Sequence, residues 1–200
     1  MAENGVPDSY RSQLRTRLVN VAGRVIASEG LKLVHARRIA AAAGCSTGTL
    51  YNIFGGLDGL ILAVNSRTLD DLNSRLTETA AAAAGHTLSI RLMALFGTTL
   101  DFAAANHLCW RALFEHRVPK DHALPDGYAD GRRHLQALLE TEFQAAIPEP
   151  VARAEAAFAL ASAVHGIVLL SLDAQLGPFD SERSERQIEF LVSHVVRGLG

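Results

Sequence analysis

Apolar residues return every three or four positions along most of this chain, and glycine or proline stands where the rhythm breaks. That spacing predicts amphipathic helices, and no stretch alternates convincingly with the two-residue period of a strand. Leu14, Leu18, Val21, Val25 and Ile26 form one stripe, predicting a first helix from Asp8 or Ser9 to Ser28, ended by Gly30. Two short helices follow within residues 36–55. A fourth begins near Gly56 and carries Leu57, Leu60, Ile61, Val64, Leu69, Leu72 and Leu76 into an alanine run closed by Gly85. Thr87 stands at the N-cap of a fifth, through Leu88, Leu92, Leu95, Phe96, Leu100 and Phe102. A sixth spans about His107 to Arg117, before a loop from Pro119 to Pro125. The seventh covers Gly127 to Ile147, and the eighth runs from Val151 to about Gln175, ending at Gly177-Pro178. The ninth follows Asp180 or Ser181 to the C-terminus. The pattern predicts an all-α fold of nine helices.

The second and third helices lie close enough to form a helix-turn-helix. In ARRIAAAAGCSTGTLYNIFG, residues 36–55, Ile39, Ala40 and Ala43 share one face of the first helix, and Gly44 can adopt the left-handed conformation that ends it. Ser46 can cap the second helix, whose inner face carries Leu50, Ile53 and Phe54. Its outer face is left with Thr47, Gly48, Thr49, Tyr51 and Asn52, short polar groups and one phenol suited to phosphates and base edges.

Charge sharpens this reading. The chain of 200 residues carries a net charge of −2, yet residues 10–57 hold Arg11, Arg15, Arg17, Arg24, Lys32, Arg37 and Arg38 against Glu29 alone, a local +6. Local cation density drives counterion release on phosphate binding, so the basic segment and the motif point to the same partner, double-stranded DNA. Apolar residues make up 48% of the chain, enough for a sizeable core. No apolar run reaches the roughly 18–20 residues that cross a bilayer, and MAENGVPDSYRSQ lacks the apolar stretch of a signal peptide. The expectation is a cytoplasmic protein without a membrane partner. Cys45 and Cys109 cannot make a disulfide framework, and Cys45 in the turn after Gly44 suits a small side chain tucked between helices, with a redox-sensing thiol as the lesser alternative.

Residues 14–64 resemble the TetR family of bacterial regulators. That family's pattern is T-x-x-x-I-A-x-x-A-G-V-S-x-G-T-L-Y-x-x-F, and here Ile39-Ala40, Ala43-Gly44, Ser46, Gly48-Thr49-Leu50-Tyr51 and Phe54 fall in register. The resemblance implies a helix-turn-helix head, placed at residues 8–56, and a helical ligand-binding and dimerisation domain, placed at 57–200. Three departures stand out. His35 occupies the usual Thr or Ser cap, Ile53 replaces an aromatic, and Gly55-Gly56-Leu57 replaces Pro-Ser-Lys, removing a frequent phosphate-binding lysine. Phosphate affinity then leans on Arg37, Arg38, Tyr51 and the N-terminal arginines.

A recognition helix meets base edges with its N-terminal residues. Thr47, Thr49 and Asn52 face that way, and an asparagine can bond adenine at two points while a threonine methyl packs on thymine. By resemblance, Tyr51 donates to a phosphate and Arg37 contacts a guanine or the backbone. Ser46, Gly48 and Arg38 complete the expected DNA-facing set.

The eighth helix is apolar on nearly all sides, more than one covered face requires. Similar regulators are homodimers whose last two helices form a four-helix bundle, which implies Phe158, Ala161, Gly166, Ile188, Leu191 and Val195 at an interface and a pseudo-palindromic operator. Gly166 inside a helix is explained by close approach of another backbone. The pair His165-Gly166 also resembles a subclass named for Trp, His and Gly, although the expected upstream tryptophan is absent. The family's small-molecule cavity would be lined here by Met93, Phe96, Phe102, Trp110, Phe114, Phe143, His165 and Leu169, apolar walls suited to an aromatic, acyl or multi-ring effector.

His107, Cys109 and His116 lack zinc-ligand spacing, and no cofactor or metal is expected. No nucleophile–base pairing or phosphate-cradling glycine loop marks an enzyme. The reading is a ligand-responsive DNA-binding repressor, with a regulator lacking an effector, or an all-helical enzyme, as the alternatives.

Overall fold

The computed structural model describes residues 8–118, 124–173 and 178–199. Among these residues the chain forms nine α-helices, one short 3₁₀ turn and no strand. The helices are α1 (Asp8–Glu29), α2 (Ala36–Ala43), α3 (Thr47–Phe54), α4 (Leu57–Ala82), α5 (Leu88–Ala105), α6 (His107–Glu115), α7 (Asp126–Phe143), α8 (Pro150–Leu172) and α9 (Ser181–Arg197). The expected loop between Pro119 and Pro125 and the end of the eighth helix near Gln175 and Gly177 lie largely outside the described residues.

The helix ends follow from local chemistry. Thr87 caps α5 by accepting from the Ile90 backbone N–H, and Asp180 caps α9 by accepting from that of Arg183. Glu149 caps α8 with both carboxylate oxygens, on Val151 and Ala152, and these bonds hold its carboxyl below the usual range. Proline at the first position of α8 loses nothing, because that N–H has no helical partner. α7 stops at Phe143, short of the expected Ile147, where Gln144, Ala146 and Ile147 turn back on Thr141 and Phe143.

By packing, the chain divides into two compact units: residues 1–68 with 108–129, and residues 69–107 with 130–200. α4 gives residues 57–68 to the first and 69–82 to the second. The first unit closes on Leu18, Ala22, Ile26, Ile39, Leu50 and Leu60, all fully buried, and α6 adds Ala112 to the same core. Asn65 of α4 donates to the Ala112 carbonyl at 3.2 Å, tying the two helices by a polar bond inside apolar surroundings.

In the second unit α5, α8 and α9 pack on one another. Leu92, Leu95 and Leu100 of α5, Leu160, Val164 and Val168 of α8, and Ile188 and Val192 of α9 are buried there. Arg91 pairs with Glu142 and also donates to the Glu142 and His86 carbonyls, holding the start of α5 to the end of α7. Gly131 of α7 passes α4 so closely that an added Cβ would sit 3.3 Å from Leu69 Cβ, and Asn73 donates to its carbonyl. Against the expectation from uninterrupted runs, α5 and α8 are long and apolar enough on average to cross a bilayer. Scattered charges do not offset their leucines, valines and alanines; in this fold each instead lays one face into the helical core.

Candidate nucleic-acid interface

The DNA-facing set is built on α2 and α3 of the first unit. α2 starts at His35, whose side chain makes no capping bond, so the departure from Thr or Ser leaves this end without a side-chain cap. α2 ends on Gly44 at φ 75°, and the Gly44 and Cys45 backbone N–H groups bond back to Ala41 and Ala40. Ser46 then caps α3, accepting from the Thr49 backbone N–H at 3.1 Å, and its hydroxyl lies 2.8 Å from that of Thr49. These two hydroxyls hold each other, which fixes the rotamer of Thr49 at the helix start.

Leu50 is fully buried and Ile53 and Phe54 pack on the core, so α3 turns its other side outward. Gly48, Tyr51 and Asn52 are exposed there, with Thr47 and Thr49 half-buried beside them. Tyr51 is 47% exposed, and its ring lies over Gly56, where an added Cβ would be 3.7 Å from Cε1. Gly55 at φ 71° and Gly56 at φ 143° form the bend after α3, so the glycines replacing Pro-Ser make the corner by backbone freedom. Gly59 is stricter. A Cβ there would fall 1.9 Å from the Phe54 carbonyl oxygen, so only glycine lets the first turn of α4 meet the end of α3.

Two arginines of α1 reach the end of α3. Arg11 donates to the Asn52 carbonyl at 3.4 Å, and the Arg15 guanidinium lies 4.9 Å from the centre of the Phe54 ring. They put positive charge at the carbonyl end of α3, where the helix dipole favours it. Periodicity reserves the apolar face of α1 for the core but gives no register of its arginines against α3. Arg37 and Arg38 are exposed on the first turn of α2. Arg38 is engaged in a two-point pair with Glu29, the last residue of α1, at 2.5 and 2.9 Å. The guanidinium holds the Glu29 carboxyl below its ordinary range.

The other predicted residues separate. In the second unit Phe96, Phe102 and Phe143 are buried, Met93 and His165 are half-buried, and Leu169 is exposed. Trp110 and Phe114 belong to the first unit, their rings 5.2 Å apart, with Trp110 buried and Phe114 exposed. Burial lowers the His165 pKa, favouring the neutral ring, and pushes the Cys109 thiol up, away from the thiolate that redox sensing uses. Two buried polar atoms of the second unit, Asn73 Oδ1, which the sequence did not single out, and His107 Nε2, weighed there only as a metal ligand, have no hydrogen-bond partner among the described residues. Nothing in helical periodicity marks a polar residue as facing inward.

Of the residues expected at an interface, Phe158 is 65% exposed, while Ala161, Gly166, Leu191 and Val195 are half-buried. Ile188 is 1% exposed and sits in the unit's own core, because Ser184, Ile188 and Val192 form the buried stripe of α9. The exposed apolar residues include three the sequence reading did not single out: Val151 and Leu170 on α8 and Phe190 on α9.

An all-α fold with a buttressed helix-turn-helix and a cationic first unit defines a DNA-binding transcriptional regulator. The model of the bacterial regulatory proteins of the tetR family matches residues 18–64, and that of the tetracyclin repressor-like C-terminal domain matches residues 92–195. The HTH-type transcriptional regulator BetI of Burkholderia lata is 32% identical over 170 residues, covering 84% of this chain and 86% of BetI. The HTH-type transcriptional repressor KstR2 of Rhodococcus jostii is 32% identical over 99 residues, about half of either chain (50% and 48%). A solved tetR-family transcriptional regulator from Streptomyces coelicolor superposes with a TM-score of 0.68 at 21% identity, covering 98% of this chain and 89% of that one. The chain belongs to the tetR family of bacterial transcriptional regulators.

Proposed function

We propose that this protein acts in the cytoplasm as a homodimeric repressor, released from a pseudo-palindromic operator by a small, largely apolar effector. Residues 8–56 read DNA in this proposal, and residues 57–200 dimerise and bind the effector. Thr47, Thr49 and Asn52 meet base edges, Tyr51 and the arginines hold phosphates, and Arg37 grips a base or the backbone. Base contacts choose the sequence while phosphate contacts set register and most of the affinity.

The observation that carries the dimer is the exposed side of α8. Val151, Phe158, Ala159, Ser162, Ala163 and Leu170 are exposed along it, spaced as one helix face that is apolar or small except for Glu155. An added Cβ at Gly166 would meet nothing within 4 Å, so the chain itself gives no steric reason for glycine there. A second copy approaching closely supplies one, and it also covers Phe190 on α9, 65% exposed. A two-fold dimer presents two recognition helices, and an effector that favours one spacing of them shifts the DNA-bound population.

Changing Phe158 and Phe190 together to aspartate tests this reading. The variant should elute as a monomer on size exclusion with light scattering. With the second head no longer tethered, its operator affinity should fall about 10²–10⁴-fold. A variant that stays dimeric with full affinity would refute the interface.

A further inference from the structure

Glu29 is the sole carboxylate among residues 10–57, and it lies on one of the two arginines at the start of α2. Neither helix accounts for the pair. A carboxylate at the last residue of α1 faces the negative end of that helix dipole, and an arginine in the first turn of α2 faces the positive end. Each charge stands where its own helix disfavours it, and each is offset by the other across the bend. The Arg38 and Glu29 side chains keep 46% and 34% of their surface, so solvent reaches the pair. Exposed ion pairs are weak and exchange readily. A planar guanidinium bonds a carboxylate and a phosphate with the same two-point geometry.

We infer that Glu29 competes with DNA phosphate for Arg38, lowering the affinity of the head for all sequences alike. The inference rests on the DNA-facing reading of α2 and α3. When Arg38 moves to a phosphate, one negative charge is neutralised on the DNA and another is uncovered beside it at Glu29, so the net charge neutralised is nil. The exchange therefore adds nothing to the salt dependence of binding. Arg37 makes no ion pair among the described residues and contributes its full share. Glu29 thus lowers non-specific affinity without touching DNA, and leaves sequence choice to the base-facing residues.

Fluorescence anisotropy with the full chain and a labelled 30-base-pair duplex of arbitrary sequence, over a salt series, tests this. Wild type, E29Q, R38Q and the double variant are compared, with E29A as a second neutral form and thermal melts to verify folding. For each head that contacts DNA, E29Q should steepen the slope of log K against log salt by about 0.9. Its gain over wild type should therefore grow about 3.5-fold between 200 and 50 mM salt. In the R38Q background the same change should give no gain. An equal gain in both backgrounds would make Glu29 a mere part of the overall field, and a loss in E29Q and E29A would make the pair a brace for α2; either overturns the inference. Wild type that binds no duplex would overturn the DNA-binding reading together with this one.

Discussion

Tyr51 and Arg37 are both exposed polar side chains at the DNA-facing surface, yet their surroundings predict different losses. Tyr51 is 47% exposed with its ring over Gly56, and the family resemblance implies a phosphate bond from its hydroxyl. Tyr51→Phe should weaken binding to every duplex by the same factor. Arg37 has no protein partner to hold it back among the described residues, and it stands on the first turn of α2. If it grips guanine, Arg37→Ala should also relax base preference by about 1–3 kcal/mol. Titrations of each variant against a matched and a mismatched duplex separate the two, and equal losses for Arg37→Ala on both would remove it from base reading. The roles expected of Thr49 and Tyr51 come from the twenty-position family pattern in which both fall in register. The engagement of Arg38 by Glu29 does not, since the two are nine positions apart on different helices.

At the scale of elements, most boundaries were legible because caps and breakers are local. Thr87 and Ser46 cap the helices the sequence assigns them, Asp180 is the cap of the two candidates Asp180 and Ser181, and each accepts a backbone N–H three residues on. Gly44 ends α2 in the left-handed conformation its position suggested. The corner between α3 and α4 was only half legible. Gly55 and Gly56 read as a departure from Pro-Ser, while Gly59 gave no sign, since its need arises from a carbonyl five residues earlier. Gly59→Ala should destabilise the protein by about 3 kcal/mol, near the top of the range for overpacking, because backbone cannot yield as a side chain tip can. Denaturant unfolding checks this, and a loss under about 0.5 kcal/mol, as at an ordinary surface site, would show that the corner relaxes freely.

At the scale of the whole molecule, periodicity identified apolar faces without saying what covers them. α9 shows why. Ile188 and Phe190 are both large and apolar, and two positions apart on a helix they point in different directions. The stripe of Ser184, Ile188 and Val192 faces α5 and α8, so Ile188 is spent inside the chain and Phe190 is left outside. The apolar excess of α8 was legible as a surplus, and its exposed side, with Phe158 and Leu170, is where that surplus lies. The aromatic residues expected around an effector were harder to place. Phe96, Phe102 and Phe143 are core by any measure of burial, and composition cannot tell a filled core from a cavity wall.

In the proposed dimer, two copies of this chain present α3 to DNA as a symmetric reader. Selecting bound sequences from a random duplex pool with the full chain tests it most directly. A two-fold dimer should enrich a consensus made of two inverted half-sites at one fixed spacing, near one helical turn or a multiple of it. Enrichment of a single unsymmetrical site, or none above background, would contradict it.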